Sequence, residues 1–126
     1  MNKKNAQRNS QEKDIRERSF SFASRIVKLY QFLASKKGGG EVLGRQVLRS
    51  GTSIGANLEE ASAGHSKADF ILKCNIALKE ARETYYWLRL LMTTQIVPAN
   101  RLRQLADESN ELVAILTTIV KKSRSH

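Results

Sequence analysis

Apolar residues recur at steps of three and four along most of this chain, and this period restricts the fold more than any other feature. The first stripe, on one face of a helix, consists of Ile15, Ser19, Phe22, Ile26, Leu29 and Leu33. A second stripe is expected to widen that face and consists of Phe20, Ala23, Val27 and Tyr30. Because no stretch alternates with the period of two that strands require, the pattern predicts an all-α fold.

Glycine and proline divide the periodic stretches into four predicted helices. The first begins near residue 14 and ends at the glycines 38–40, and the second covers about residues 41–63 and ends at Gly64. Ser66, with Asp69 three residues later, resembles a capping box at the start of a third helix over about residues 67–94. Pro98 opens the fourth helix, at a position where no N–H donor is needed.

Four helices joined by short turns predict an up-down-up-down four-helix bundle. We expect the bundle to cover residues 11–122. Residues 1–10 and 123–126 are expected to form basic tails, and the first of these is polar enough to be disordered.

The chain is strongly basic, with 22 Lys and Arg against 12 Asp and Glu, which gives a formal net charge of +10. A charge of this size favours an anionic partner, above all nucleic acid, although solubility, an acidic protein or an anionic membrane surface are alternatives. The chain contains no apolar run of the roughly 18 residues that a membrane span needs. Its first residues lack the apolar core of a signal peptide, and Cys74 has no second cysteine to pair with. We therefore expect a cytoplasmic protein with no membrane association.

No pattern in the chain supports catalysis or a cofactor. The glycine-containing segments lack the GxxxxGK[ST] pattern of a phosphate loop, and neither His65 nor His126 has a Glu three residues before it, as a di-iron bundle requires. Cys74 falls on an apolar stripe, which is typical of a small core residue. Four carboxylates could cluster between the second and third helices, but solvated faces or buried polar partners explain them equally well: Glu59, Glu60, Glu80 and Glu83. We expect no enzyme, no metal and no cofactor.

Two basic stripes are candidates for contact with nucleic acid. On the third helix the candidates after Asn75 step by three and four and are Lys79, Arg82, Tyr86 and Arg89. On the first helix they lie on a polar flank and are Arg18, Arg25 and Lys28. Basic side chains can neutralise phosphates and tyrosine can stack on an unpaired base, whereas ordinary solvated faces with pairs such as Lys79–Glu83 are the alternative. Because no motif specifies a base, we expect binding that is led by the backbone and has low sequence specificity.

The second half of the third helix, YYWLRLLMTTQIV, is apolar on nearly every side. A helix that is apolar all round is buried all round, which in a domain this small implies a second subunit. The candidate interface residues are Tyr85, Trp87, Leu88 and Leu91.

The stretch RSGTSIGANLEEA at 49–61 is unusual for a helix because it combines two glycines with several polar residues. Gly51 and Gly55 are four apart on one face, so they are expected to let a neighbouring helix approach closely. Ser53, Asn57 and Glu60 are expected to form hydrogen bonds across that interface.

This stretch, together with Ser66, Phe70 and IALKEARETYYWLRLL at 76–91, resembles the bacterial four-helix-bundle family of rRNA intervening-sequence proteins. That family includes the accessory variability determinant proteins of diversity-generating retroelements. The resemblance covers about a third of the chain, and its structural signature consists of Gly51, Ser53, Gly55, Asn57, Glu60 and Glu80. Ala61 is a departure, since many relatives carry Gly there.

The resemblance implies a basic, non-enzymatic protein assembled into a homopentameric ring. The accessory branch implies binding of RNA, or of an RNA/DNA hybrid, together with a reverse transcriptase. The other branch, encoded within rRNA genes, implies a structural scaffold that acts through protein contacts. The basic and YYW segments favour the accessory branch, and the sequence leaves both open.

Overall fold

The computed structural model describes residues 3–64 and 66–125, and within these ranges the chain forms four helices. Their bounds are Lys3–Ala34 (α1), Gly40–Ser62 (α2), Lys67–Thr93 (α3) and Ala99–Arg124 (α4). The described ranges contain no strand, which confirms the predicted all-α class. None of these helices is long and apolar enough to cross a membrane.

Helix α1 begins earlier than the sequence pattern indicates. The predicted start was near residue 14, and the first ten residues were expected to be disordered, whereas the helix already includes Lys3. The residues that precede the apolar stripe contain no Gly or Pro and include good helix formers such as Lys, Arg, Gln and Ala, so their intrinsic propensity favours a helix. At the other end, α4 continues to Arg124 and covers part of the predicted tail. Residues 1, 2 and 126 of the predicted tails lie outside the described residues.

The turns follow the predicted breakers, with one difference. Gly38 and Gly39 have φ angles of +107° and +91°, which glycine adopts without strain, and Gly39 is the N-cap of α2. Helix α2 ends at Ser62 with Ala63 as its C-cap, and Gly64 follows directly at the predicted end of the helix, without the positive φ of a left-handed glycine cap. A Cβ on Gly64 would lie 2.7 Å from Asp69 Oδ2, the end of a side chain that can turn aside, and 3.1 Å from the Ala61 carbonyl oxygen.

The starts of α3 and α4 confirm their predicted signals. Ser66 Oγ accepts a hydrogen bond of 3.1 Å from the Asp69 backbone N–H, so Ser66 caps α3. Pro98 has a φ of −54° and is the N-cap of α4. His65, interpreted from the sequence as a turn residue, lies outside the described residues.

Helices α1 and α2 are antiparallel, and the packing of the four helices on one another confirms the predicted four-helix bundle. A Cβ on Gly44 would contact Leu33 and a Cβ on Gly55 would contact Ser19, so rising numbers in α2 meet falling numbers in α1. Helix α2 also packs on α3, and α3 packs on α4. Of the four pairs of helices that are in contact, α1 and α4 have the smallest contact. Helices α1 and α3 make no close backbone contact and therefore lie diagonally across the bundle.

The glycines of α2 bring α1 close, as predicted, but their contributions differ. A Cβ on Gly51 would lie 2.9 Å from both Ile26 Cγ1 and Ile26 Cγ2, which is well inside van der Waals contact. A Cβ on Gly55 would lie 3.4 Å from Ser19 Oγ, which is an ordinary contact. The tightest approach therefore occurs at Gly51, and Gly55 is not as closely packed.

The polar residues of the same stretch do not bond across the helix interface, so that expectation is wrong for the protomer. Asn57 Nδ2 donates to the Ser53 carbonyl at 2.8 Å and to Ser53 Oγ at 3.1 Å, and both bonds lie within α2. Glu60 is exposed. An amide four residues after a serine reaches it along its own helix, which removes the need for a partner on another helix.

The core is continuous through the bundle and buries the main stripe of α1, including Phe22, Ile26 and Leu33. The second stripe does not join it as expected, because Phe20 is 72% exposed and Val27 is 39% exposed. Phe20 lies about 200° around the helix from Phe22, so the two side chains point to opposite sides. This leaves apolar side chains of α1 in contact with solvent.

Candidate nucleic-acid interface

The predicted stripe of α3 forms one exposed line. Lys79, Arg82, Tyr86 and Arg89 are all exposed, and we call these four residues the α3 basic face. From Lys79 to Arg89 the line is about 15 Å long, given the 1.5 Å rise per residue. None of its three cations forms an ion pair with any described residue. The alternative pair of Lys79 with Glu83 is therefore not formed.

Two acidic residues of α3 turn away from this face toward α2. Arg49 Nη1 contacts Glu80 Oε2 at 3.3 Å, and Arg49 Nη2 binds Glu83 Oε1. Glu80 is buried at 8% exposure. Since each residue turns a helix by about 100°, Arg82 and Arg89 point roughly opposite to Glu80. These two arginines are thus separated from the buried carboxylate of their own helix.

One turn after Glu80, a buried hydrogen bond connects α3 to α2. Thr84 Oγ1 lies 2.8 Å from Ser50 Oγ and 2.8 Å from the Glu80 carbonyl, and both hydroxyl-bearing residues are completely buried. Glu80 was expected to be structural, and its ion pair and burial agree with that role. With Arg49, these contacts fix the register between α2 and α3.

Arg49 was not among the candidates from the sequence. Its partners lie 31 and 34 residues away, so no local spacing indicates the contact.

The sequence also raised the question of a carboxylate cluster formed by Glu59, Glu60, Glu80 and Glu83. The described residues contain no group of three or more His, Cys, Asp or Glu side chains that could hold a metal ion. Cys74 is buried in the core, as expected.

The nucleic-acid-binding candidates on α1, which are Arg18, Arg25 and Lys28, do not lie on the same surface as the α3 basic face. Arg18 Nη2 binds Glu108 Oε1 at 2.5 Å and Glu111 Oε2 at 2.6 Å, both on α4. The hydrogen bond to Glu108, and to a lesser extent the one to Glu111, raises the pKa of the Arg18 guanidinium above its ordinary value. Arg18 therefore stays charged and bound to these two carboxylates. Arg25 and Lys28 are exposed, but on a helix diagonal to α3.

Tyr86 is 55% exposed and rests against Trp87. The two rings meet edge to face, with centroids 5.0 Å apart and an interplanar angle of 74°. The indole Nε1 of Trp87 donates a hydrogen bond of 3.1 Å to Glu83 Oε1, the oxygen that Arg49 also binds. Trp87 itself is half-buried against the core.

The other candidate interface residues divide into two groups. Leu88 and Leu91 are completely buried within the protomer, so their apolar character needs no second subunit. Tyr85 and Trp87 are half-buried, and the Arg89 guanidinium lies 5.6 Å from the centre of the Tyr85 ring. The all-round apolar segment is therefore explained largely by packing inside one bundle.

Comparison with known proteins places these observations in a family. A family model described as 23S rRNA-intervening sequence protein matches residues 11–118. A crystal structure from Bacteroides thetaiotaomicron VPI-5482, described as a protein with unknown function from the S23 ribosomal protein family, is 45% identical to this chain. The match covers 88% of this chain and 98% of that one, with a TM-score of 0.83. A comparison with curated proteins gives no significant match. The resemblance read from the SIGANLEEA and YYWLRLL segments is thus confirmed, and this chain belongs to the 23S rRNA-intervening sequence protein family.

Proposed function

We propose that this chain is a non-enzymatic nucleic-acid-binding protein whose α3 basic face contacts the phosphates of RNA. One observation carries the proposal: three exposed cations lie in line and form no ion pair within the described part of the chain, while Arg49 holds Glu80 and Glu83 on the α2 side. Phosphate contacts position a protein on nucleic acid without reading its sequence. Binding of low sequence specificity follows.

The test is the salt dependence of RNA binding, measured by fluorescence anisotropy. If Lys79, Arg82 and Arg89 neutralise three phosphates of a single strand, log K should fall with log salt at a slope of roughly −2 per protomer. That slope corresponds to about 20-fold weaker binding when salt rises from 50 to 200 mM. A flat response to salt would contradict the proposal.

A matched pair of variants separates the face from net charge. Arg82→Gln and Arg25→Gln each remove one exposed arginine that has no ion pair among the described residues. We expect Arg82→Gln to lower affinity and reduce the slope by about 0.7, and Arg25→Gln to change neither. Equal losses would show that total charge acts rather than this face.

The family resemblance supports a further part of the proposal, in which a cytoplasmic homopentamer presents RNA or an RNA/DNA hybrid to a reverse transcriptase. Co-purification of the chain with a reverse transcriptase of a diversity-generating retroelement, with and without nuclease, tests this part. Complexes that need RNA would place the nucleic acid between the two proteins. Failure to co-purify in both conditions would remove the polymerase from the proposal.

A scaffold that acts through protein contacts is the second candidate. The exposed side chains of Phe20 and Val27 favour it, because they lie two turns apart on the same helix face and exposed apolar groups on one face are typical of contact surfaces. Phe20→Ser should then abolish the proposed homo-oligomer, while the RNA affinity of each protomer stays unchanged. RNA affinity that falls together with assembly would tie the two functions to each other.

A further inference from the structure

We propose that the α3 basic face selects single-stranded over duplex RNA, because Tyr86 presents a pre-oriented ring on which one unpaired base stacks. This inference rests on the proposed function and adds the class of nucleic acid. The occupant is an unpaired nucleotide whose flanking phosphates reach the neighbouring cations.

The Tyr86 ring is exposed and is also held in position. Its edge-to-face contact with Trp87 is 5.0 Å between centroids, and Trp87 is in turn fixed by packing and by its 3.1 Å hydrogen bond to Glu83. Glu83 is bound by Arg49 on the neighbouring helix. A ring supported in this way loses little conformational freedom on binding, which favours affinity.

Cations stand on both sides of this ring. Arg82 lies one turn before Tyr86 and Arg89 nearly one turn after it, at rises of about 6 Å and 4.5 Å along the helix. Lys79 extends the line by a further turn. A strand that runs along α3 can therefore stack one base on Tyr86 while its phosphates meet cations in both directions.

The carboxylate that comes nearest to Tyr86 along the sequence of α3 is already engaged by other groups. Glu83 precedes Tyr86 by three residues, but Arg49 and the Trp87 N–H both bind its Oε1. The same contacts that hold Trp87 therefore reduce the repulsion that Glu83 would exert on a phosphate. Arg49, Glu83 and Trp87 act as positioning residues and need not touch RNA.

Discrimination follows from where base faces are available. In a duplex each base is covered by its neighbours, so Tyr86 finds no free face except at the ends. Stacking of one base on an aromatic side chain commonly changes affinity by roughly 5- to 140-fold when the ring is removed. The cations remain available to either form of RNA, so duplex binding relies on charge alone.

The single tryptophan of the chain allows a direct measurement. We would titrate the full chain with a short oligouridine and with a long RNA duplex, and follow both anisotropy and Trp87 fluorescence. We expect oligouridine to change the fluorescence because Tyr86 touches Trp87, and duplex to bind with a much smaller change. Equal fluorescence changes with both RNAs would overturn the inference.

Variants distinguish the ring from its surroundings. Tyr86→Ser should weaken oligouridine binding about tenfold more than duplex binding, whereas Tyr86→Phe should keep the preference because the ring face remains. Glu83→Ala removes both the hydrogen-bond acceptor of Trp87 and a negative charge near the phosphates. The lost hydrogen bond should lower the ratio of single-strand to duplex affinity, because Trp87 no longer holds the Tyr86 ring as firmly. Circular dichroism confirms that each variant folds.

The outcomes separate this inference from the proposed function. If Arg82→Gln weakens both RNAs and Tyr86→Ser leaves their ratio unchanged, the basic face stands and the stacking role is wrong. If Arg82→Gln weakens neither RNA, the proposed function itself fails. A change of molar mass in Tyr86→Ser by light scattering would assign Tyr86 to a subunit contact and overturn the inference.

Discussion

Gly51→Ala and Gly55→Ala are expected to change stability in opposite directions, although both glycines lie on the same face of α2. An alanine at either position gains about 1 kcal/mol of helix propensity over glycine. At Gly55 the new Cβ would make ordinary contact at 3.4 Å with Ser19 Oγ, so the gain should be retained. At Gly51 the new Cβ would lie 2.9 Å from two branches of Ile26.

The penalty at Gly51 follows from that distance. Carbon atoms pack best at about 3.5–4.0 Å, so the helices must separate locally by several tenths of an ångström. Ile26 cannot turn away, because both of its Cγ atoms are in the contact and a β-branched side chain has one strongly preferred χ1 in a helix. Overpacking of this kind costs about 1–3 kcal/mol, which leaves Gly51→Ala destabilised by up to about 2 kcal/mol after the propensity gain.

Urea and thermal denaturation followed by circular dichroism measure the difference. We expect Gly51→Ala to unfold with a free energy about 1–3 kcal/mol below that of Gly55→Ala, or roughly 4 °C in Tm for each kcal/mol. In an Ile26→Leu background, which keeps the volume but removes the Cγ2 branch, the Gly51→Ala penalty should shrink. Gly51→Ala at least as stable as Gly55→Ala would refute the close-approach argument.

Three other contacts give sharp expectations. Thr84→Val should lower the free energy of unfolding by about 1 kcal/mol in urea denaturation, because it removes the buried hydrogen bond to Ser50; an unchanged midpoint would contradict that bond's role. Arg18→Gln should cost up to about 1 kcal/mol, and less in high salt, since Glu108 is partly screened by solvent; a loss that does not depend on salt would argue for packing instead. Phe20→Ser should leave the unfolding free energy of a protomer within about 0.5 kcal/mol, because the ring is mostly exposed, and should lower the molar mass in light scattering; an unchanged mass would separate Phe20 from assembly.

The helices of the bundle could be predicted because their signals are local. The three-and-four stripe of α1, the glycines before α2, the Ser66 cap and Pro98 each act within a few residues of their own position. The sequence pattern places the start of α1 too late because the residues before Ile15 carry no apolar period that marks a boundary. Helix propensity alone continues there, and a periodicity argument does not register it.

The candidate site was predicted only in part. The line from Lys79 to Arg89 is visible in the sequence because helical spacing puts its members on one face. The support of Tyr86 through Trp87, Glu83 and Arg49 was not visible, since Arg49 is 34 residues from Glu83. Spacing within one helix also made Leu88 and Leu91 candidates for a subunit contact, although the protomer core buries both.

The sequence by itself determined the number of helices, their turns, the α3 basic face and the family, because each depends on residue types at short, fixed separations. The tertiary structure alone decided which charges are engaged. It paired Arg18 with α4 and Arg49 with α3, gave Arg82 no ion pair within residues 3–64 and 66–125, and placed Phe20 in solvent. Ion pairs act over a few ångströms, and those distances are set by how helices meet rather than by how far apart two residues lie along the chain.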